Sequence, residues 1–479
     1  MRYAKLDALL LTLLVMARVR IDTLAEAAVL PLRQQDVARH PLLGRLLSPA
    51  AMELLAQQGF ADPITLLLIV LALAALAAYL ILSFSSGQLS RRGYRARLAL
   101  IWLIVVLTVV APTLKMTLLR EQSGPASYCH DGGVIQTEVT IEYLLSGRNP
   151  YVEDYLQTPM AEWGLSEFRT ALYHYPYLPW TFVFSAPFYG LSQAVLGWYD
   201  QRFVYLLLFV LTLALAPALA GGRQSRLLLV MTLGLNPIMG SDIIFGQNDS
   251  FVLFWIVLAL VLLARGKEMT DERRATPWRL GSAAAFGLAC ASKPTAWLLV
   301  PFYVLLLVPA SCAGQETGAN RRGWARWLLT LLRRAWPALA LFLLLVLPYL
   351  IWDAGAMVDD VWRWASGRGE HAYQIWGWGA SNLLLALGWV NSRFDTWPFW
   401  LPQLLVCGPL LAFLLWRQWR DNRIAAASSG YAVFLLAFFF LSRFLNENYL
   451  GYILAFLALG VFGGGKEAQR EPFSPGLAS

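Results

Sequence analysis

The stretch "YCHDGGVIQTEVTIEYLLSGRNPY", residues 128–151, directly follows one of the most apolar runs of the chain and yet contains three carboxylates and a pair of adjacent glycines. Read as a helix, it places Glu138 and Glu142 one turn apart. Asp131 precedes Glu138 by two turns, so the three acids share one face. Such a face just outside a membrane segment is either a solvated surface or a functional site.

The composition indicates a multi-pass membrane protein. The 479 residues are 58% hydrophobic and only 14% charged, with a mean hydropathy of +0.53, values far from those of an ordinary soluble domain. The net charge of +8 comes from basic residues in short loops between apolar runs, where they determine orientation, so it indicates no nucleic-acid partner. The cysteines lack the spacing of a disulfide framework or a metal site; they are Cys129, Cys290, Cys312 and Cys407.

Apolar runs long enough to cross a bilayer predict an all-α polytopic protein with about 12 transmembrane helices. These runs cover residues 5–20, 63–84, 97–118, 203–220, 225–240, 250–265, 280–291, 295–310, 336–352, 398–416, 425–441 and 449–463. The first run has a basic start but no small-residue cleavage site, so it is interpreted as an anchor and not as a removable signal peptide.

Short basic loops predict the orientation, because cytoplasmic loops are rich in Lys and Arg. These loops are residues 91–97, 221–226, 265–274, 321–334 and 417–423. All of them can be cytoplasmic only if the apolar stretch 178–198 does not cross the membrane. Its Pro179 and Pro187 are typical of a broken segment that dips into the outer leaflet.

This orientation collects the unusual polar residues on the extracytoplasmic side. The segments predicted there are residues 119–202, the turn "SDIIFGQND" at 241–249, residues 353–397 and residues 442–448. The predicted organisation is an N-terminal membrane extension (1–96), a transmembrane catalytic domain (97–463) and a disordered cytoplasmic tail (464–479). The catalytic domain carries amphipathic or re-entrant helices in a first external loop (119–202) and a late external loop (353–397).

Asp131 is the strongest candidate for chemistry. An Asp before a Gly-Gly pair and a helix start is a natural N-cap. The same carboxylate at a membrane interface, beside glycines that let a substrate approach the backbone, can also take a proton from a sugar hydroxyl. Glu138 and Glu142 could orient it or bind a sugar, although charged helix faces are usually only solvated.

Two aromatic segments combine rings with a histidine. The segment "YHYPYLPW", residues 173–180, contains His174 and Tyr175, and the late loop contains His371 and Trp376. An interfacial aromatic belt explains these rings without any further function. Aromatic rings beside a histidine are also what pyranose recognition uses, and they could cap a sugar-binding cavity.

Polar residues also interrupt apolar helices at the predicted outer face. "FGQNDSF" offers Gln247, Asn248 and Asp249 as an ordinary turn or as a site at membrane depth. Lys293 lies between two apolar helices with no nearby acid in the sequence. It either snorkels to the interface or meets a phosphate at the outer leaflet.

The segment "SRFLNENYL", residues 442–450, supplies a further set of candidates. Arg443 could be a second phosphate-binding cation, unless it simply pairs with Glu447. Asn446 and Glu447 are candidate substrate-binding residues at the end of the same helix-to-helix link.

A metal site is the weaker interpretation of the one-sided histidines. Asp131 and His130 could meet His174 and His371 in space, but no local ligand spacing supports this. No cofactor is therefore predicted, with a divalent ion as the alternative. Walker loop, dinucleotide fingerprint, HExxH and nucleophile-elbow motifs are absent from the sequence, which disfavours cytosolic nucleotide chemistry.

The order of these motifs resembles that of the GT-C superfamily of integral-membrane glycosyltransferases, in particular the polyprenyl-phosphate-mannose-dependent members. The resemblance covers about residues 97–463 and rests on "HDGGVIQTEVTIEYLLSGRNPY", "YPYLPW", "GQND", "GLACASKP" and "NENYLGYIL". The chain departs from the pattern in having no Asp-x-Asp or Asp-Glu pair at Asp131, which argues against the metal-dependent branch, and in having Tyr177 where the family often has Pro.

The resemblance implies a function. A hexose, in first place mannose, would pass from a polyprenyl-phosphate donor to a glycan or lipid-linked acceptor, with inversion, on the extracytoplasmic face. Asp131 matches the catalytic acid of the family and would act as general base, while Lys293 and Arg443 would stabilise the phosphate leaving group. Two alternatives stay open: an O-antigen-ligase-like or polymerase-like enzyme that uses the late loop around His371, and a transporter of a polar lipid.

Overall fold

The computed structural model describes residues 5–26, 30–85, 89–129, 133–163, 166–308 and 321–464, and in these ranges nearly all regular structure is helical. Each predicted apolar run falls on a helix. By length and composition, six of the described helices can cross a membrane, or seven if one bent pair is a single span. Three shorter helices of the described residues are also apolar. The protein is therefore a multi-pass α-helical membrane protein.

The N-terminal part is built from helices that pack on the rest of the chain. They are α1 (Leu6–Glu26), α2 (Leu30–Arg39), α3 (Pro49–Ala56), α4 (Pro63–Ser85), α5 (Arg91–Val105) and α6 (Ala111–Ser123). Helices α5 and α6 join through a π-helical stretch, Val106–Val110, into one apolar helix of 33 residues. A buried ion pair between Arg97 and Asp7, at 3.0 Å, ties α5 to α1.

The middle of the chain holds the loop predicted to be the first external loop and the helices that follow it. They are α7 (Gly133–Leu145), α8 (Trp180–Leu196), α9 (Arg202–Leu215), α10 (Arg223–Gly234), α11 (Pro237–Phe245), α12 (Asp249–Glu268), α13 (Glu272–Cys290) and α14 (Val300–Leu307). Helix α1 contacts α10 and α11, so the N-terminal extension is integrated into the bundle. The bent pair is α10 and α11, which meet at 46° beside Pro237.

Helix α8 corrects one expectation of the sequence. The segment 178–198 was expected to be broken, but it forms one continuous helix with Pro187 inside it. A single proline removes one intrahelical hydrogen bond and can be accommodated with a kink. Helix α8 packs against α7 and ends at Gly197, which has a left-handed φ of +77°.

The C-terminal part contains the late loop and the last described helices. The helices are α15 (Arg321–Val358), α16 (Ser381–Ala386), α17 (Trp400–Pro402), α18 (Gly408–Arg420), α19 (Ile424–Phe440) and α20 (Glu447–Phe462). Two short strands, β1 (Trp376–Gly377) and β2 (Phe444–Leu445), pair in parallel. This pairing fixes the late loop to the link between α19 and α20.

Candidate functional site

A cavity of about 1580 Å³ lies where the first external loop, the late loop and the ends of α12, α13 and α20 meet. Seven of the residues predicted from the sequence line it; they are Gln247, Asn248, Lys293, Trp376, Arg443, Asn446 and Glu447. A pocket for one small ligand typically has about 300–1,000 Å³. The cavity is therefore large enough for two substrates.

The centre of the cavity wall is a buried ion pair. Lys293 Nζ donates to Asp249 Oδ1 at 2.6 Å and to Asn248 Oδ1 at 3.0 Å. Asn448 Nδ2 donates to the second carboxylate oxygen of Asp249, which is fully buried. The ring of Tyr449 lies 5.3 Å from the ammonium. The isolated cation suggested by the sequence is thus neutralised by an acid 44 positions earlier.

Local sequence explains how these side chains come together. Lys293 precedes Pro294 and has extended backbone angles (φ −155°, ψ 138°), because a residue before proline is pushed out of the helical region. Gly246 ends α11 with a φ of +97°, and a Cβ there would lie 2.1 Å from Val134 Cγ2. The absence of a side chain at Gly246 therefore lets the first turn of α7 pack directly on the turn that carries Asn248.

The predicted catalytic Asp131 falls, with His130 and Gly132, outside the described residues. Its described neighbours on both sides, Cys129 and Gly133, line the cavity. Arg202 Nη1 donates to the carbonyl of Tyr128 at 2.7 Å, and Trp163 Nε1 donates to the carbonyl of Cys129 at 3.1 Å. The chain leading to residue 130 is therefore fixed at the cavity wall.

Glu138 belongs to a charged network and does not line the cavity. Both of its carboxylate oxygens accept from Arg120, at 2.8 and 2.7 Å, and Arg120 also donates to Asp200 at 2.9 Å. Arg202 donates to both carboxylate oxygens of Asp200, from Nε to Oδ1 at 2.9 Å and from Nη2 to Oδ2 at 2.7 Å. Only 12% of the Glu138 side chain is exposed, whereas Glu142 is exposed. The interpretation as a solvated surface residue therefore fits Glu142 but not Glu138.

His174 and Tyr175 connect the two external loops and do not line the cavity. His174 Nδ1 lies 2.8 Å from Asp360 Oδ1, and Nε2 lies 3.1 Å from the carbonyl of Glu370. The backbone N–H of Tyr175 donates to Asp360 Oδ2 at 2.9 Å. Burial alone would lower the pKa of His174, but the hydrogen bond and charge of Asp360 raise it above its usual 6.5. Two acceptors on the ring nitrogens favour the imidazolium form.

Arg443 holds the late loop in place. Its Nε donates to the carbonyl of Tyr373 at 2.6 Å, Nη1 to that of Asp395 at 2.8 Å and Nη2 to that of Arg393 at 2.9 Å. All three nitrogens therefore bind backbone carbonyls, and Arg443 does not pair with Glu447, which is exposed at the cavity. Burial lowers the pKa of Arg443 to about 10, against the opposing effect of Asp395.

The two late-loop candidates separate in the structure. Trp376 lines the cavity, and the guanidinium of Arg393 lies 5.1 Å from its ring centroid. His371 is exposed and stacks on Tyr173 at 3.7 Å between ring centroids. Since His371 is absent from the cavity lining, it belongs to the contact between the loops.

Several residues of the site were missed by the sequence reasoning. Asn448 and Tyr449 complete the surroundings of Lys293, and the motif "NENYLGYIL" contains them, so their position beside Glu447 was an available signal. Arg368 and Arg393 also line the cavity as exposed cations. Nothing in their local sequence distinguishes these two from ordinary loop arginines.

A metal-ligand cluster does not occur among the described residues, which exclude His130 and Asp131: within them, no three His, Cys, Asp or Glu side chains could together hold an ion.

Comparisons with known proteins give one family match and one similar structure. Residues 142–309, about a third of the chain, match the family described as alpha-(1->6)-mannopyranosyltransferase, N-terminal domain. A search of curated proteins gave no match. Among solved structures, ArnT from Cupriavidus metallidurans, crystallised with undecaprenyl phosphate, is similar with 17% identity and a TM-score of 0.42. The alignment covers 78% of this chain and 60% of that one.

The match of residues 142–309 includes the two turns that carry Asn248 and Lys293, and it lies within a polytopic α-helical membrane fold. This part of the chain is therefore similar to a mannopyranosyltransferase domain, and the chain spans 60% of the length of ArnT.

Proposed function

We propose that the protein transfers a hexose, in first place mannose, from a polyprenyl-phosphate donor to a glycan or lipid-linked acceptor on the extracytoplasmic side of the membrane. The observation that carries the proposal is a large cavity that has Cys129 and Gly133 on one wall and Lys293 on another. Those two walls would bring a general base at Asp131 and a cation for the leaving phosphate to the same substrate.

The apolar part of the cavity lining supports a lipid-linked donor. Aromatic and aliphatic side chains form this part; they include Trp297, Leu298, Trp362, Trp397, Phe399 and Trp400. Trp362 and Trp400 are 61% and 54% exposed, so apolar surface continues from the cavity to the outside of the helix bundle. An isoprenoid chain would gain free energy by covering such surface.

The phosphate would bind at cations that the structure leaves accessible. Asn248 and Asp249 accept two of the three N–H donors of Lys293, and the third can donate to a phosphate oxygen. Arg368 and Arg393 line the cavity and are exposed. Because the donors of Arg443 bind backbone carbonyls, we assign phosphate binding to these three residues in its place.

The reaction would then be a direct displacement. Asp131 takes the proton of the acceptor hydroxyl, the acceptor oxygen attacks the anomeric carbon, and the bond from that carbon to the phosphate oxygen breaks with inversion. The phosphate keeps the electron pair, and Lys293 stabilises its charge. Trp376, Asn446 and Glu447, which line the cavity, are available to bind the sugar rings.

The test is sugar transfer in liposomes that contain the purified protein, labelled polyprenyl-phosphate hexoses and cell-envelope glycan acceptors. We expect Asp131→Asn to reduce transfer by about 10³-fold or more, the effect of losing a general base. The matched control is Glu142→Gln, an exposed acid on α7 that accepts from Tyr189, and it should transfer as wild type does. Full activity of Asp131→Asn would exclude this mechanism, and no transfer by wild type from any such donor would exclude the function.

An O-antigen-ligase-like reaction at His371 is less consistent with the position of that side chain. His371 stacks on Tyr173 outside the cavity lining. His371→Ala should therefore retain most of the activity.

A further inference from the structure

The segment between α1 and α4, residues 30–62, lies outside the part of the chain that matches the glycosyltransferase family. It contains α2 and α3 and packs on α6 and the end of α11 through its own apolar cluster. This cluster consists of Val37, Leu43, Met52, Ile64, Met116, Leu119 and Ile244. The segment therefore contacts the two elements that precede the Asp131 loop and the Asn248 turn.

Polar contacts fix both ends of this segment. At its start, Asp36 accepts a hydrogen bond from the hydroxyl of Tyr128, and the Asp36 carbonyl accepts from Gln122 Nε2 at 3.2 Å. At its end, the fully buried Asp62 pairs with Lys115 of α6. These contacts hold residues 30–62, which we call the brace, against α6.

Tyr128 is the residue on which the brace acts. It has a φ of +54°, a left-handed conformation that a bulky residue adopts only when its surroundings enforce it. The surroundings do so from two sides: Arg202 binds its carbonyl at 2.7 Å, and the segment binds its hydroxyl through Asp36 and covers its ring with Arg33 at 5.8 Å. The next residue, Cys129, lines the cavity.

We propose that Asp36 is a positioning residue for the transfer reaction: by holding the Tyr128 hydroxyl, it keeps the left-handed turn at Tyr128 that sets Cys129 against the cavity wall. The inference rests on the proposed function for its effect on catalysis. Its structural part, the control of the Cys129 backbone by Asp36, stands independently. The N-terminal extension would thus contribute to the geometry of the site without touching a substrate.

The test uses four variants of the protein in liposomes and one control variant. Asp36→Ala and Tyr128→Phe each remove one partner of the hydrogen bond, whereas Asp36→Asn keeps an acceptor oxygen. We expect kcat to fall about tenfold in the first two, as the loss of one charge-assisted hydrogen bond allows, with the KM for the lipid donor unchanged. The double variant Asp36→Ala/Tyr128→Phe should equal either single variant. Asp36→Asn should recover most of the activity. The control, Gln35→Ala, changes an exposed neighbour on α2.

A second readout does not depend on activity. Burial raises the pKa of the Cys129 thiol to about 11, so wild type should react slowly with a maleimide, as followed by peptide mass spectrometry. We expect Cys129 to react several-fold faster in Asp36→Ala and Tyr128→Phe, with buried Cys290 unchanged. Unaltered Cys129 reactivity together with unaltered kcat would overturn the proposal, as would equal acceleration at Cys129 and Cys290. If wild type transfers no sugar, the proposed function fails. The thiol measurement still tests whether Asp36 controls the position of Cys129.

Discussion

Replacing Lys293 with alanine should destabilise the protein as well as impair donor use. Asp249 is fully buried, and Lys293 supplies its ion pair at 2.6 Å. Without the ammonium, the carboxylate would keep the hydrogen bond from Asn448 but no cation in the described contacts. Removing one partner of a buried pair typically costs about 3–5 kcal/mol, because the remaining charge stays desolvated. Neutralising both partners together should restore most of this loss.

The assay measures thermal stability in detergent for Lys293→Ala and for a variant in which both partners are neutral. Lys293→Ala should lower the apparent melting temperature by about 6–10 °C, at roughly 2 °C per kcal/mol for a large chain. Lys293→Met/Asp249→Asn should melt within about 2 °C of wild type, since the two remaining polar groups are neutral. Transfer should be lost in both variants, because neither provides an ammonium for the donor phosphate.

This comparison therefore separates the effect of Lys293 on stability from its effect on donor binding. If Lys293→Ala melts like wild type and shows only a raised KM for the donor, the ion pair contributes nothing to the fold, and Lys293 is a snorkelling or purely substrate-binding cation. If the double variant is less stable than Lys293→Ala, the reasoning from the buried charge is wrong.

Three further predictions concern the loops around the cavity. Stabilisation from the raised pKa of His174 is present below about pH 6.5 and is lost as the pH rises through the raised value. Melting scans from pH 5 to 9 should show a larger decline in wild type than in His174→Gln, in which the pKa of Asp360, raised by burial to about 6, still contributes. Arg443→Lys loses most of the bonds to three carbonyls, so limited proteolysis of the late loop should become at least about tenfold faster. Gly246→Ala combines a left-handed φ with a clash against Val134 and should cost about 2–4 kcal/mol in melting experiments.

Each of these predictions has a clear contrary result. A pH profile of stability that is the same in His174→Gln as in wild type would show that the bond to Asp360 is not titrating. If Arg443→Lys is cleaved at the wild-type rate but binds the donor more weakly, Arg443 binds the phosphate and does not hold the late loop. A Gly246→Ala protein as stable as wild type would mean that α7 and the Asn248 turn can separate freely.

The helices and loops could be predicted from the sequence, because the length of an apolar run and the charge of a loop are local properties of the chain. The partners of the polar residues were not. Lys293 pairs with Asp249 of an earlier helix, and Asn448 of α20 donates to the same carboxylate. Neither contact produces a recognisable spacing of residues along the sequence. Local reading therefore identified Lys293 and Asp249 as unusual but could not show that they neutralise each other.

A similar reason explains why some candidate residues from the sequence do not line the cavity. Glu138 and His174 are polar residues in predicted external loops, which fits a substrate contact and a structural contact equally well. Arg120 forms ion pairs with both Glu138 and Asp200, and Asp360 is hydrogen-bonded to His174. Burial inside an ion network depends on the packing of distant helices, so only the three-dimensional structure distinguishes the two.

The parallel pairing of β1 with β2 has a consequence for biosynthesis. The late loop is bound by the link between α19 and α20, and Asn448 of α20 completes the polar centre of the cavity. Before α20 is synthesised, the buried Asp249 would therefore have the ammonium of Lys293 but not the amide donor of Asn448. A chain stopped before this helix should leave a buried carboxylate incompletely hydrogen-bonded among the earlier helices, so docking of α20 would complete the assembly of the site.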